Sequence, residues 1–271
     1  HEVTSDLALI AAQRAIEAAG IEKEELDYII FAHNFGETME DNMRMDVVPS
    51  LASRLKQKLG IVNPSAVAYD MLVVGADILS RVADPHDRDS MIYADGAGAA
   101  IMEGRESDTP LGILGHNSRS DALDYVQMLR MGYSYNPELA RKKDYYLKMQ
   151  GRRLYQYALE NVPKTVKAGL DKLGLQITDI RKVLLHQANG KMDDAILQRL
   201  FKLYNIKEVP ESIMPMTISW LGNSSVATVP TLLDLLTRQE MDGHDLQSGD
   251  IIILASVGAG MNINSIVYRI P

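Results

Sequence analysis

The sequence predicts an α/β protein built from two similar halves, and three observations carry that reading. Apolar runs rich in Ile, Val and Leu alternate with longer stretches of helical period, the pattern of strands and helices stacked in layers. Two distant segments resemble each other, YADGAGAAIM at 93–102 and ASVGAGMNIN at 255–264, which marks an internal duplication. A chain of 271 residues, 46% hydrophobic and 24% charged, has the composition of a globular protein and the length of one large domain or two ordinary ones.

Taken in order, Thr4 or Ser5 can cap a first helix, with Asp6 in its opening turn, Leu7, Ile10 and Ile16 along it and Gly20 closing it. DYIIFA reads as a buried strand. Asp46 or the segment before it opens a second helix, with Val48, Leu51, Ala52, Leu55 and Leu59 on one face and Gly60 past its end. AVAYDM is the next strand, and MIYADGAGAAIM gives strand, glycine-rich turn and strand. From Gly104 to Lys148 few periods are clear, and the stretch reads as loops with short elements. A long helix then runs from Gly151 to Leu173, with Leu154, Tyr157, Ala158 and Leu170 inward and Pro163 as a kink or break. KVLLH is a strand, helices follow over 191–204 and 224–239, and DIIILASVGAGMNINSIVYRI closes the chain as strand, turn and strand. The halves are therefore 1–104 and 151–271, joined by a connecting region at 105–150.

One run does not fit. AVAYDMLVVGADIL, residues 66–79, is almost without polarity, and as a single strand it would reach about 46 Å at roughly 3.3 Å per residue. Strands usually hold about five or six residues. Two parallel strands of one sheet need a crossover of about a dozen residues or more, and nothing joins AYDM to LVVGAD. The reading is that roughly one helix is missing between Met71 and Leu72. The alternative is a hairpin, or a long strand bulged at Gly75.

Composition excludes several classes. A net charge of −8 opposes a nucleic-acid partner, which needs a basic surface. No apolar stretch has the length of a membrane span, and the N-terminus lacks the pattern of a secretory signal, so a cytoplasmic protein with no membrane partner is expected. The first residue is His1 rather than Met, which leaves open a start further upstream. The absence of cysteine excludes a disulfide framework. His33, His86, His116 and His244 lack metal-ligand spacing, so no metal is expected.

Four places are candidates for function. LLHQANGK puts His186 at the C-terminal end of a short apolar strand, the sheet edge where α/β proteins bind ligands; from position alone, a ring nitrogen capping a loop carbonyl is the plainer reading. SWLGNSSVATVP puts Asn223 in a turn at a helix start, where an ordinary cap or Asx turn is again the plainer reading from position alone. Gly258 and Gly260 in VGAG either expose N–H groups to an oxyanion or make a tight turn. ARKKDYY, around Lys142, reads as a solvated loop or as a dock for an acidic partner.

Together, HQAN, GNSSVATVP, DPHDRDSMIYADGAGAA and GDIIILASVGAG resemble, in order and spacing over nearly the whole chain, the β-ketoacyl-acyl carrier protein synthase III family of the thiolase superfamily. The resemblance implies a thiolase-like five-layer αβαβα fold from two duplicated halves, a homodimer, and no cofactor beyond the coenzyme A and phosphopantetheine thioesters that are substrates. It implies decarboxylative condensation of an acyl-coenzyme A starter with malonyl-acyl carrier protein at the start of fatty acid biosynthesis. A related resorcinol-type or quinolone-type synthase, or a cysteine-less binding module, are the alternatives.

Residue by residue, His186 and Asn223 match the catalytic His and Asn that hydrogen-bond the thioester carbonyl and help decarboxylate the malonyl donor. Asn189 matches a position facing the pantetheine arm, Gly151 a tunnel wall, and Arg88 a contact to the adenine end of coenzyme A. Lys191 matches a position for docking an acidic acyl carrier protein. Ala259 stands where a glycine N–H helps form the oxyanion hole, and Val257 where the family carries an aromatic residue. The family's nucleophilic cysteine follows the strand that aligns with AYDM, at a helix N-terminus that favours the thiolate. This chain has none, so the missing crossover and the missing nucleophile share one explanation, a segment between Met71 and Leu72.

Overall fold

The computed structural model describes residues 2–39, 42–46, 49–141 and 144–271, with backbone alone at 38–39, 42–46 and 67–74. Val48 and Lys142 lie outside the described residues. The helices are α1 (Thr4–Ala19), α2 (Leu51–Leu59), α3 (Ala122–Tyr125), α4 (Pro137–Ala140), α5 (Gly151–Lys172), α6 (Gly190–Lys202), α7 (Ile218–Leu221) and α8 (Thr228–Thr237). The strands are β1 (Tyr28–Ala32), β2 (Glu37–Met39), β3 (Asn42–Asp46), β4 (Val67–Asp77), β5 (Gly96–Ile101), β6 (Gly112–Ser120), β7 (Leu129–Tyr133), β8 (Tyr145–Met149), β9 (Lys182–Leu185), β10 (Ile251–Gly258) and β11 (Asn262–Arg269). Two compact units result, one of His1–Arg105, Tyr133–Tyr146 and Asn223–Thr231, the other of Glu106–Gly132, Leu147–Gly222 and Leu232–Pro271.

The first unit is built on the sheet β1-β4-β5, with β1 parallel and β5 antiparallel to β4. Ala8 and Ala12, fully buried one turn apart on α1, join Ile29, Leu55 and Ala76 in its core. Small residues at that spacing let a helix lie close to its sheet. The cap differs from expectation. The N-cap is Val3, whose N–H donates to the Asp6 carboxylate at 3.0 Å, while Thr4 and Ser5 are buried inside the first turn. Ser5 gives both its N–H (2.9 Å) and its hydroxyl (2.6 Å) to the buried Glu37 carboxylate, which thus satisfies a helix-end donor from outside the helix. Asp46 opens no helix; it ends β3, and α2 is capped instead by Ser50, whose Oγ accepts from the Ser53 N–H.

Most of the apolar run forms one strand, β4, of 11 residues. Its pairing breaks sharply. Tyr28 of β1 faces Val67, yet the next residue, Ile29, faces Leu72, and the ladder to β5 also starts at Leu72. Residues 68–71 are therefore passed over by both ladders. Gly75 sits in register between Ala32 and Gly98, so the irregularity lies before Leu72 and not at the glycine.

The second unit carries the sheet β6-β11-β10-β9, in which only the β9–β10 pair is parallel. β9 is buried along its whole length, and α5 and α6 cover a core that includes Leu154, Val166, Val183, Ile253 and Phe201. Pro163 does not break α5, which runs unbroken past it. A proline inside a helix costs about 3 kcal/mol, but this stretch is buried from Tyr157 to Pro163 save Glu160, and two side chains add bonds to the backbone: Asn161 Nδ2 to Tyr157 O at 3.0 Å and Thr165 Oγ1 to Asn161 O at 2.9 Å.

Both units repeat one plan, a parallel pair followed by an antiparallel partner, β1-β4-β5 in the first and β9-β10-β11 in the second. The glycine-rich strings occupy different places in it. Gly96 and Gly98 belong to β5, whereas Ala259 and Gly260 form a 3-10 turn between β10 and β11. MIY, expected as a strand, is a 3-10 turn leading to a single bridge at Tyr93. The stretch 105–150 is more than connection, since β6 is a full strand of the second sheet. The helix expected from Ser224 starts at Thr228 after a 3-10 turn at Ser225–Ala227.

Candidate active site

In the second unit the last rung between β9 and β10 joins Leu185 to Ala255, and the N–H of His186 extends the ladder with a 2.8 Å bond to Ala255 O. His186 therefore stands half-buried at the C-terminal edge of a parallel strand pair, where strand ends leave room for a ligand. The next residue fixes the neighbouring loop. Gln187 is fully buried; its Nε2 donates to Pro215 O at 2.7 Å, and its Oε1 accepts from the N–H groups of Thr217 (2.8 Å) and Ile218 (2.9 Å). A buried amide with both ends satisfied holds its partners firmly.

Asn189 caps α6, its Oδ1 accepting from the N–H groups of Lys191 at 3.1 Å and Met192 at 3.4 Å, and Lys191 is exposed on the first turn. Beneath them Asp193 is fully buried with no well-formed hydrogen bond to either carboxyl oxygen. Burial, with the charge of Asp194 beside it, raises its pKa to about 8, against the pull of the Ala188 and Asn189 N–H groups.

Ala259 follows β10 at the same end as His186 and is exposed. Gly260 (φ 76°) and Met261 (φ 54°) then turn in the left-handed region, which a methionine rarely adopts unless held there. Here the Met261 carbonyl accepts from the Asp121 N–H at 3.1 Å and lies 3.2 Å from the Tyr157 hydroxyl, which donates to Asp121 Oδ2 at 2.7 Å. Burial and that bond push the Tyr157 hydroxyl up, while the Arg119 and Tyr157 hydrogen bonds hold Asp121 below the usual carboxylate range. Gly151 is the first residue of α5 and half-buried.

In the first unit Asn223 is buried, and its backbone is locked on both sides, its N–H to Ile92 O at 2.7 Å and its carbonyl from the Ala94 N–H at 2.9 Å. Its Oδ1 accepts from the Ser225 N–H at 3.0 Å. Three glycines let this segment lie against the sheet: a Cβ on Gly75 would meet Val226 O at 2.7 Å, one on Gly96 the Ser224 Cβ at 2.8 Å, and one on Gly98 the Pro230 ring at 2.8 Å. At the end of β4 the buried Asp77 carboxylate accepts from Asn34 N–H, Asn34 Nδ2 and Ser225 Oγ at 3.0, 2.9 and 2.7 Å. Burial raises its pKa against these bonds. Arg88 is exposed and makes no hydrogen bond or ion pair among the described residues; its loop is anchored by the buried Asp84, which accepts from Ser134 Oγ, Tyr135 N–H and His86 N–H at 2.9 to 3.0 Å.

The second unit thus holds His186, Asn189, Lys191, Gly151 and Ala259, and the first holds Asn223 and Arg88. Sequence reasoning missed Gln187, Asp193 and Asp77. Gln187 stood inside HQAN without a role, and Asp77 closed an apolar run with no local pattern to mark it. Among the described residues no three His, Cys, Asp or Glu could together hold a metal ion, and no helix is long and apolar enough to cross a membrane.

Two family models match the chain, one described as 3-oxoacyl-[acyl-carrier-protein (ACP)] synthase III over residues 61–122, the other as its C-terminal part over 170–270. The beta-ketoacyl-[acyl-carrier-protein] synthase III of Acaryochloris marina is 30% identical over 288 positions, covering 99% of this chain and 83% of that protein. That alignment exceeds the 271 residues of this chain by 17 positions, so at least that many have no counterpart here. The protein of the same description from Streptococcus pneumoniae is 28% identical, covering 99% of this chain and 85% of that protein. The solved 3-oxoacyl-(acyl carrier protein) synthase III of Pseudomonas aeruginosa superposes with a TM-score of 0.81 at 25% identity, covering 100% of this chain and 84% of that one. The thiolase-like α/β fold expected from the sequence is the fold of this chain.

Proposed function

Since this chain belongs to the 3-oxoacyl-[acyl-carrier-protein] synthase III family, we propose that it serves the initiating condensation of fatty acid biosynthesis, joining an acyl-coenzyme A starter to malonyl-acyl carrier protein. The observation that carries the reading is a family likeness that spans 99% of this chain, together with His186 at the C-terminal edge of β9. In this reading His186 and Asn223 donate hydrogen bonds to the malonyl thioester oxygen. As the bond to the departing carboxylate breaks, its electron pair moves toward that oxygen and carbon dioxide leaves; the two donors stabilise the enolate. The enolate carbon then attacks an acyl-cysteine thioester, the tetrahedral oxyanion takes the Ala259 N–H, and the thiolate departs. Arg88 meets the adenine end of coenzyme A, Gly151 and Asn189 line the way of the pantetheine arm, Lys191 docks the carrier protein, and the enzyme works as a homodimer.

The nucleophile is assigned to a segment that joins Met71 to Leu72 in the complete enzyme. The register jump before Leu72 and the surplus positions in the relative's alignment support that assignment, since a crossover helix needs about a dozen residues or more. Decarboxylation needs no cysteine, so the chain as it stands tests the malonyl half: it should release carbon dioxide from malonyl-acyl carrier protein, His186→Ala should abolish release, and Asn223→Ala should slow it about 100-fold. Release no faster than that of His186→Ala would leave a binding module instead. The intact mass of the protein from its source tests the other half. A mass above 30.1 kDa by a helix and a strand supports condensation, and 30.1 kDa itself overturns it. Val257, in place of the family's aromatic, favours a second reading, a related synthase with another acyl preference, which a product assay with short and long acyl donors separates.

A further inference from the structure

The carboxamide of Asn223 is useful to the reaction in only one of its two flips. As a donor to a thioester oxygen it must present Nδ2, which requires Oδ1 to be turned away. Oδ1 is turned to the Ser225 N–H at 3.0 Å, and only an oxygen can accept from that group; among the described residues Nδ2 makes no hydrogen bond. The orientation therefore depends on where the Ser225 N–H points, and that depends on an uncommon backbone. Ser225 has φ 54°, a region that side-chain-bearing residues seldom occupy without support.

The support is local. The Ser225 hydroxyl donates to Asp77 Oδ2 at 2.7 Å and accepts from Asn34 Nδ2 at 2.7 Å, while Asn34 gives its backbone N–H and its amide to the same carboxylate at 3.0 and 2.9 Å. Asp77 is fully buried at the end of β4, held in register by the ladder to β5, where it faces Gly96. A buried carboxylate with several donors is a rigid anchor, because releasing any of them leaves charge without solvation.

We propose that Asp77 is the positioning residue of Asn223, acting through Ser225 and Asn34 to keep Oδ1 inward and Nδ2 presented to the substrate. It does not touch the substrate itself. The inference rests on the reading of Asn223 as a donor in malonyl decarboxylation, and the experiment separates the two.

Asp77→Ala and Ser225→Ala should each lower kcat for carbon dioxide release from malonyl-acyl carrier protein about 10-fold, a loss of the size that slight misplacement causes, with KM little changed. The double variant Asp77→Ala/Asn223→Ala should be no slower than Asn223→Ala alone, since the anchor acts only through that side chain. Multiplying losses in the double variant would mean a general structural role and overturn the proposal. Ser225→Ala removes only a hydroxyl and keeps the test open should Asp77→Ala not fold. An independent readout is the side-chain amide signal of Asn223 in a 1H–15N spectrum, identified by its loss in Asn223→Ala. It should shift in Ser225→Ala and Asp77→Ala; an unmoved signal overturns the positioning whatever the activity. If the unmodified chain releases no carbon dioxide while the signal shifts as expected, the donor reading fails and the anchor stands.

Discussion

Asp193 shows what burying a single carboxyl does to a fold. With its folded pKa near 8 and an ordinary value of 3.8, the carboxyl keeps its proton in the folded chain and loses it in the unfolded one throughout the interval between. The folded state then binds more protons, so stability falls as pH rises through that interval, by up to about 1.4 kcal/mol per pH unit, and levels off above pH 8. Asp193→Asn keeps the shape without the charge. It should raise Tm relative to the parent at pH 8 and leave it nearly unchanged at pH 4, as calorimetry at the two values would show; an equal shift at both would mean that the carboxyl is ionised in the fold. At this scale the sequence singled out His186 and Asn223 as candidates, because four strings that resemble one family occur in order. It did not reveal their supports. Gln187 and Asp77 gain meaning only from partners some 30 and 148 residues away along the chain, which no local pattern records.

Among the elements, strands with dense apolar runs were legible and strands without them were not. KVLLH and DIIILA announce β9 and β10 because burial on both faces demands such runs. β6, GILGHNSRS, is an edge strand with no buried residue; its strandedness comes from hydrogen bonds to β11 rather than from its own composition. MIY failed the other way, apolar enough for a strand but placed in a 3-10 turn. Close packing gives a test at this scale. A methyl on Gly75 would lie 2.7 Å from Val226 O, a backbone atom that cannot turn aside, so Gly75→Ala should cost about 1–3 kcal/mol and slow carbon dioxide release by displacing the Asn223 turn. A thermal melt unchanged from the parent's would show that the 223–231 segment does not lie against the sheet this closely.

For the whole molecule, charge sets a constraint on partners. A net charge of −8 repels an acidic partner at long range, so the carrier-protein docking proposed above calls for local cations, and Lys191 is exposed on α6. Lys191→Glu should raise KM for malonyl-acyl carrier protein several-fold, more at low salt than at high, since complementarity of this kind governs encounter and is screened. KM for malonyl-coenzyme A should stay as it was; an equal rise for both substrates would assign Lys191 to the shared thioester arm. The sequence suggested two halves through the two glycine strings, whereas the repeat in the structure is one of pairing, a parallel pair with an antiparallel partner in each unit. The glycine strings do not align in it, for Gly98 is needed where Pro230 crowds β5, whereas Gly260 is needed for its backbone angle.

The register jump before Leu72 carries one last consequence, for the tolerance of this chain to changes of length. Since residues 68–71 hold no rung on either side, chain can be spliced in or out at that joint without breaking a rung from Leu72 onward or slipping its register. The cost of an added flexible loop there is closure entropy alone, rising by only about 0.6 kcal/mol for each doubling of its length. The sheet is in this sense modular, its register clamped downstream of the very point at which its length can vary.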